Sequence, residues 1–176
     1  MNLDEIAAFS RYRDKSSNYF EFGCGGSTVF CNSEQRKIKS VDNSLHWINK
    51  VKPLVGSTTE LIYVNTGPVL EYGIPADQKQ TSLFADYSLA FSKRDSDTDL
   101  VLIDGRFRVA CGLQIVLSEY SGIVLLHDAD RTEYKPLFNF FTVLERVDNL
   151  VALRLLPTAD KLEAAILWDI YKNIHQ

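Results

Sequence analysis

Three glycines fall within four positions in Tyr19-Phe20-Glu21-Phe22-Gly23-Cys24-Gly25-Gly26-Ser27, directly after an apolar and aromatic run. The run suits a buried strand. The glycines suit a tight turn, where the backbone takes positive φ and a ligand approaches with no Cβ in the way. A helix opening near Ser27 would point its free N–H groups back at that turn, where polar or anionic groups bind. A strand, turn and helix in this order belong to an α/β sheet, and a nucleotide-like ligand is the first functional expectation.

The rest of the chain repeats the unit. Apolar strands are expected at 18–22, 37–42, 59–65, 99–104 and 123–127, with helices at 3–12, 27–35, from Ser44 to before Pro53, 79–92, 108–119 and 135–145. Thr66-Gly67-Pro68 and Tyr72-Gly73-Ile74-Pro75 break the rhythm and read as a loop over the active edge of the sheet. Two last strands, 150–156 and 163–170, are joined through Pro157-Thr158-Ala159-Asp160, too short for a parallel crossover, so they are expected to form an antiparallel hairpin. Continuous apolar strands mean a sheet covered on both faces. The expectation is one domain, residues 1–176: a Rossmann-like, doubly wound, mostly parallel seven-stranded sheet with helices on both faces and a C-terminal antiparallel hairpin.

A net charge of −4 argues against duplex nucleic acid or an anionic membrane as partner. The three cysteines, Cys24, Cys31 and Cys111, are odd in number and lack metal-ligand spacing, which suits a reduced, cytoplasmic protein. Met1 to Glu5 does not read as a leader peptide, and no stretch approaches the ~20 apolar residues of a membrane span.

Ligands of open α/β sheets bind beyond the carboxyl ends of the strands. Four expected strand ends carry chemistry: Glu21 with the glycines; Asp42 and Asn43; Asp104, Gly105 and Arg106; His127, Asp128 and Asp130. Asp42 lies about 20 positions beyond Gly23, where an acid holds a ribose diol. A dinucleotide fingerprint, G-x-G-x-x-G, is incomplete because Thr28 stands at the third glycine. Glu21, Asp42 and Asp104 would also oppose a pyrophosphate and favour a cationic ligand.

On Glu21-x-Gly23-x-Gly25-Gly26-Ser27 the chain resembles the first motif of class I S-adenosylmethionine-dependent methyltransferases, and within them the small bacterial methyltransferase-like proteins with unassigned substrates. The resemblance implies S-adenosyl-L-methionine as cofactor. It would be held by Glu21, Gly23, Cys24, Gly25, Gly26, Ser27, Asp42, Asn43 and Asp104. Asp104, His127 and Asp128 would serve catalysis, with His127 as acid or base. Arg106, Arg131 and Tyr134 would face the substrate, Arg106 or Arg108 holding a carboxylate or phosphate. Some family members acting on catechol-like substrates use a divalent cation. Asp104, Asp128 and Asp130 imitate that set, but the Asp-Asn pair is lacking, so no metal is expected. The partner is a small molecule whose O or N takes the methyl group; oligomeric state is open, a homodimer among the options. The competing readings are an NAD-dependent oxidoreductase, disfavoured by the missing glycine and by the lack of a Tyr-x-x-x-Lys pair, and a non-catalytic cofactor-binding sensor or partner subunit.

Overall fold

The computed structural model describes residues 1–77 and 79–175. Helix α1 (Leu3–Arg13) precedes β1 (Asn18–Phe22), α2 (Gly26–Cys31), β2 (Lys37–Asp42), α3 (Leu45–Val51) and β3 (Thr59–Tyr63). Then come α4 (Ala85–Leu89), β4 (Leu100–Ile103), α5 (Arg108–Leu117), β5 (Ile123–Leu126), β6 (Phe141–Val147), β7 (Leu150–Leu155) and α6 (Lys161–Tyr171). The seven strands form one sheet in the order β3-β2-β1-β4-β5-β7-β6. The pairs from β3 to β5 are parallel, and β7 is antiparallel to both neighbours. Strand order reverses between β1 and β4, which opens a crevice at their carboxyl ends.

Side chains alternate across each strand, so one run feeds two cores. Val101 and Ile103 of β4 join Phe20, Phe22, Val124 and Leu126 beneath α4, α5 and α6. Leu100 and Leu102 join Tyr19, Ile38 and Leu125 beneath α1, whose Ala8 and Phe9 are buried there. This two-sided burial explains why β4 and β5 read as unbroken apolar runs. Among the described residues no helix is long and apolar enough to cross a membrane.

The C-terminal third departs from expectation. The antiparallel hairpin exists, but it is β6 and β7, one element earlier than the sequence pattern placed it. Residues 135–145, expected as a helix, hold the end of a 3-10 segment (Thr132–Asn139) and the start of β6. The segment expected as the last strand is α6. Asp148, with φ +48, and Asn149 make a two-residue turn, a geometry these residues tolerate. Asp160 caps α6 by accepting hydrogen bonds from the Leu162 and Glu163 N–H groups. Trp168 Nε1 donates to Ser88 Oγ at 3.0 Å and docks α6 on α4. The helix expected at 79–92 is broken into 3-10 turns around the five-residue α4.

Candidate functional site

The turn after β1 is built on a glycine pair. Gly23 has φ +99, and a Cβ there would lie 2.7 Å from the backbone of Gly105. A Cβ on Gly105 would lie 2.8 Å from Gly23 N and 2.2 Å from Tyr87 Oη. The turns after β1 and β4 therefore touch backbone to backbone, which brings Asp104 and Arg106 beside the glycine loop. Gly25 and Gly26 differ: a Cβ on either would meet nothing within 4 Å. They form the open floor of a cavity of about 500 Å³, within the range of small-molecule sites.

Glu21 does not line that cavity. It is wholly buried beneath the turn, where its carboxylate accepts hydrogen bonds from Tyr19 Oη at 2.8 Å, Ser27 Oγ at 2.7 Å, Ser40 Oγ at 2.7 Å and Thr28 Oγ1. Thr28 Oγ1 also accepts from the Gly25 N–H at 2.8 Å. The acid thus fixes the loop through hydroxyls of the helix it precedes. Burial raises its pKa, opposed by the four hydroxyl donors. Thr28 takes the position of the third glycine because its hydroxyl closes this network. Helix α2 is only six residues long, so individual backbone groups of the turn matter more than a helix dipole.

Asp42, at the end of β2, lines the cavity. Its Oδ2 accepts from Cys24 N–H at 3.0 Å and its Oδ1 from Ser44 N–H at 2.7 Å, so the carboxylate is locked in place. Each oxygen keeps a lone pair for a ligand. Burial raises its pKa and these N–H bonds oppose the rise. Asn43 lies outside the cavity: its Nδ2 donates to Thr66 Oγ1 and to Gly73 O, both at 2.8 Å, and ties the 66–75 loop to β2. That loop brings Tyr72 into the cavity lining, which Trp47 of α3 also joins. A neighbouring hollow of about 610 Å³ shares both aromatic residues but holds neither the glycines nor Asp42. Cys24 and Ser27 line the main cavity. Burial and the nearby Asp42 push the Cys24 thiol far up, which disfavours the thiolate that a nucleophile needs.

Past β4 and β5 lies a network of alternating charge. Arg108 is buried; its Nε donates to Gly105 O, and its terminal nitrogens donate to His127 O at 2.6 Å and Asp104 O at 3.1 Å. The same guanidinium pairs Asp104 at 3.3 Å and Asp128 at 3.0 Å. His127 presents Nδ1 to Asp104 Oδ1 at 3.0 Å and Nε2 to Glu5 Oε2 at 3.3 Å. Burial alone would lower its pKa, but Asp104, Asp128 and Glu5 outweigh burial and raise it. Burial likewise works against the Asp128 carboxylate, yet Arg108, His127 and Arg131 hold it below its ordinary range. Side-chain atoms of Asp104, His127 and Asp128 come within 4.8 Å of one another, close enough for a cation; Arg108 already bridges the two carboxylates. Asp130 is exposed and stands outside the group.

The cavity brings together Gly23, Cys24, Gly25, Gly26, Ser27, Asp42, Asp104 and Arg106. His127 hydrogen-bonds Asp104, and Asp128 shares Arg108 with it; neither His127 nor Asp128 lines the cavity. Arg131 is exposed and pairs Asp128 at 2.7 Å, and Tyr134 is wholly buried in the core; neither reaches the cavity. Sequence reasoning missed the apolar wall made by Ile6 and Phe9 of α1 with Phe30, and it missed Trp47. It also missed Glu5, which joins α1 to His127 and accepts from the Asn149 N–H in the β6–β7 turn at 3.0 Å.

No protein-family model matches the chain, and none of the curated proteins does. Solved structures do. This fold, with its inserted antiparallel β7, is shared with two solved structures. A methyltransferase-like protein from Silicibacter pomeroyi DSS-3 is similar at a TM-score of 0.87 and 23% identity, over 98% of this chain and 95% of that one. The N-methyltransferase NodS from Bradyrhizobium japonicum WM9, in complex with S-adenosyl-L-homocysteine, is similar at a TM-score of 0.55 and 12% identity, over 86% and 85% of the two chains.

Proposed function

We propose that the chain is an S-adenosylmethionine-dependent methyltransferase acting on an O or N of a small molecule. The observation that carries this reading is the cavity at the β1–β4 crevice, with a side-chain-free floor at Gly25 and Gly26 and the locked carboxylate of Asp42 on its wall. Asp42 suits a ribose diol, and Trp47 and Tyr72 offer flat surfaces for a base. The acidic residues near the glycine turn favour a cationic, phosphate-free ligand over a dinucleotide. When bound, the cofactor supplies an electrophilic methyl group.

In-line transfer asks the protein for alignment and for removal of one proton from the acceptor. Asp104 is the second carboxylate on the cavity wall and fits both tasks. His127 is a positioning residue in this account. Both of its ring nitrogens face carboxylates, which raise its pKa and favour the ring that donates to Asp104 over the ring that takes a proton from the acceptor. The buried, free cysteines suit a reducing compartment such as the cytoplasm.

Isothermal titration tests the reading. S-adenosylhomocysteine should bind wild type, and Asp42→Ala should weaken it at least about tenfold, a typical loss for a charge-assisted hydrogen-bonding group. Tight binding of NAD with no response to S-adenosylhomocysteine would sink it. Consumption of S-adenosylmethionine with a metabolite mixture separates an enzyme from a sensor.

A further inference from the structure

Arg106 and Arg108 sit two positions apart yet meet different fates. Phe107 between them is buried and left-handed, at φ +54 and ψ +36, a conformation that a bulky residue adopts only under constraint. Arg108 enters α5 and spends its guanidinium on carbonyls and carboxylates of the β4 and β5 ends. Arg106 lines the cavity. Its Nε is buried with no hydrogen-bond acceptor from the protein, and no described carboxylate forms an ion pair with it. The 66–75 loop packs on its stem, since a Cβ on Gly73 would lie 3.7 Å from Arg106 Cγ. The nearest carboxylate by sequence, Asp104, is already engaged by Arg108 and His127. Leaving such a donor buried and unpaired is costly, and a bidentate anion satisfies a guanidinium best. Burial and the neighbouring Arg108 both disfavour its charge, which an incoming anion would relieve. Ile6, Phe9 and Phe30 add an apolar part to the lining of the same cavity.

We propose that the methyl acceptor is an amphipathic acid, with a carboxylate or phosphate held by Arg106 and an apolar or aromatic body against Ile6, Phe9 and Phe30. The inference rests on the cofactor reading above. The same guanidinium chemistry would also suit the cofactor's own carboxylate, and the test separates the two sources. Protein saturated with S-adenosylhomocysteine is titrated with benzoate and phenyl phosphate, and with neutral benzamide and benzyl alcohol. Wild type should bind the anions at least about tenfold more tightly than the neutral compounds. Arg106→Gln should erase that preference, and Arg106→Lys should restore part of it. S-adenosylhomocysteine affinity should change less than about threefold in either variant.

Equal binding of anionic and neutral probes to wild type would overturn the proposal. So would a large loss of S-adenosylhomocysteine affinity in Arg106→Gln with unchanged affinity for 5′-methylthioadenosine, which lacks the carboxylate. If wild type fails to bind S-adenosylhomocysteine at all, the cofactor reading falls. Arg106-dependent preference for the anions, measured on the ligand-free protein, would then still stand as a result about this site.

Discussion

Replacing Glu21 by alanine should unfold the glycine turn's support without touching a ligand. Four hydroxyls would lose their acceptor at once. Ser27 is half-buried and can turn to water. Thr28 and Ser40 oxygens lie 3.4 Å apart and can partly serve each other. Tyr19 is left with a buried, unpaired hydroxyl. One or two orphaned groups at about 1–3 kcal/mol each, with the cavity left by the side chain, outweigh the relief from burying one carboxylate fewer. The net loss should be about 2–4 kcal/mol, against a typical domain stability of about 5–15 kcal/mol. With a urea m-value of about 2 kcal/mol/M, the unfolding midpoint should fall by about 1–2 M.

Glu21→Gln keeps an acceptor oxygen and should stay much closer to wild type at neutral pH. Its pH dependence carries the sign. The raised pKa means that the folded chain binds this proton more tightly than the unfolded chain, so the carboxylate costs stability as pH rises from about 4.3 through its folded value. The glutamine variant should therefore gain on wild type across that window and run parallel above it. An unchanged midpoint in Glu21→Ala, accompanied by lost S-adenosylhomocysteine binding, would refute the reasoning, since it would make Glu21 a ligand contact.

The two kinds of glycine should separate. Gly105→Ala drives a Cβ into Tyr87 Oη and the Gly23 backbone and should cost about 1–3 kcal/mol in urea unfolding, while Gly26→Ala, at the open floor, should leave stability intact and weaken S-adenosylhomocysteine. Equal destabilisation by both would count against the geometry of the turn. The raised pKa of His127 adds stability that is fully present below about 6.5 and is lost as pH climbs through the folded value, so the midpoint gap between wild type and His127→Gln should narrow over that window. Glu5→Gln should lower the His127 pKa in an NMR titration; an unmoved His127 would deny α1 a part in the site.

The central sheet was legible because β4 and β5 are buried on both faces and have no choice but apolar runs, with the largely apolar β1 beside them. The C-terminal third was not. Phe138 to Leu144 fits a helix face or a strand equally well by apolar content, and the edge strand β6, largely exposed, lacks the alternation that would decide. In α6 the apolar Leu162, Ile166 and Ile170 face solvent, which blurred the helical period. Within the site, Asp42 and the glycines were readable from spacing, because the fold forces strand ends together. Neither the α1 wall nor Trp47 of α3 was readable, since Phe9 and Trp47 meet the cavity only through tertiary packing. Nor could spacing separate Arg106 from Arg108. The left-handed Phe107 divides them, and no local pattern announces that a phenylalanine will take that conformation.

A crystal structure of the protein soaked with S-adenosylhomocysteine tests the account most directly. It should show the ribose hydroxyls within hydrogen-bond reach of Asp42, the chain of the ligand passing over Gly25 and Gly26, and its sulfur on the Asp104 side of the cavity. Ligand density seated instead in the hollow beyond Trp47 and Tyr72, or a glycine floor that stays empty at saturating ligand, would contradict it.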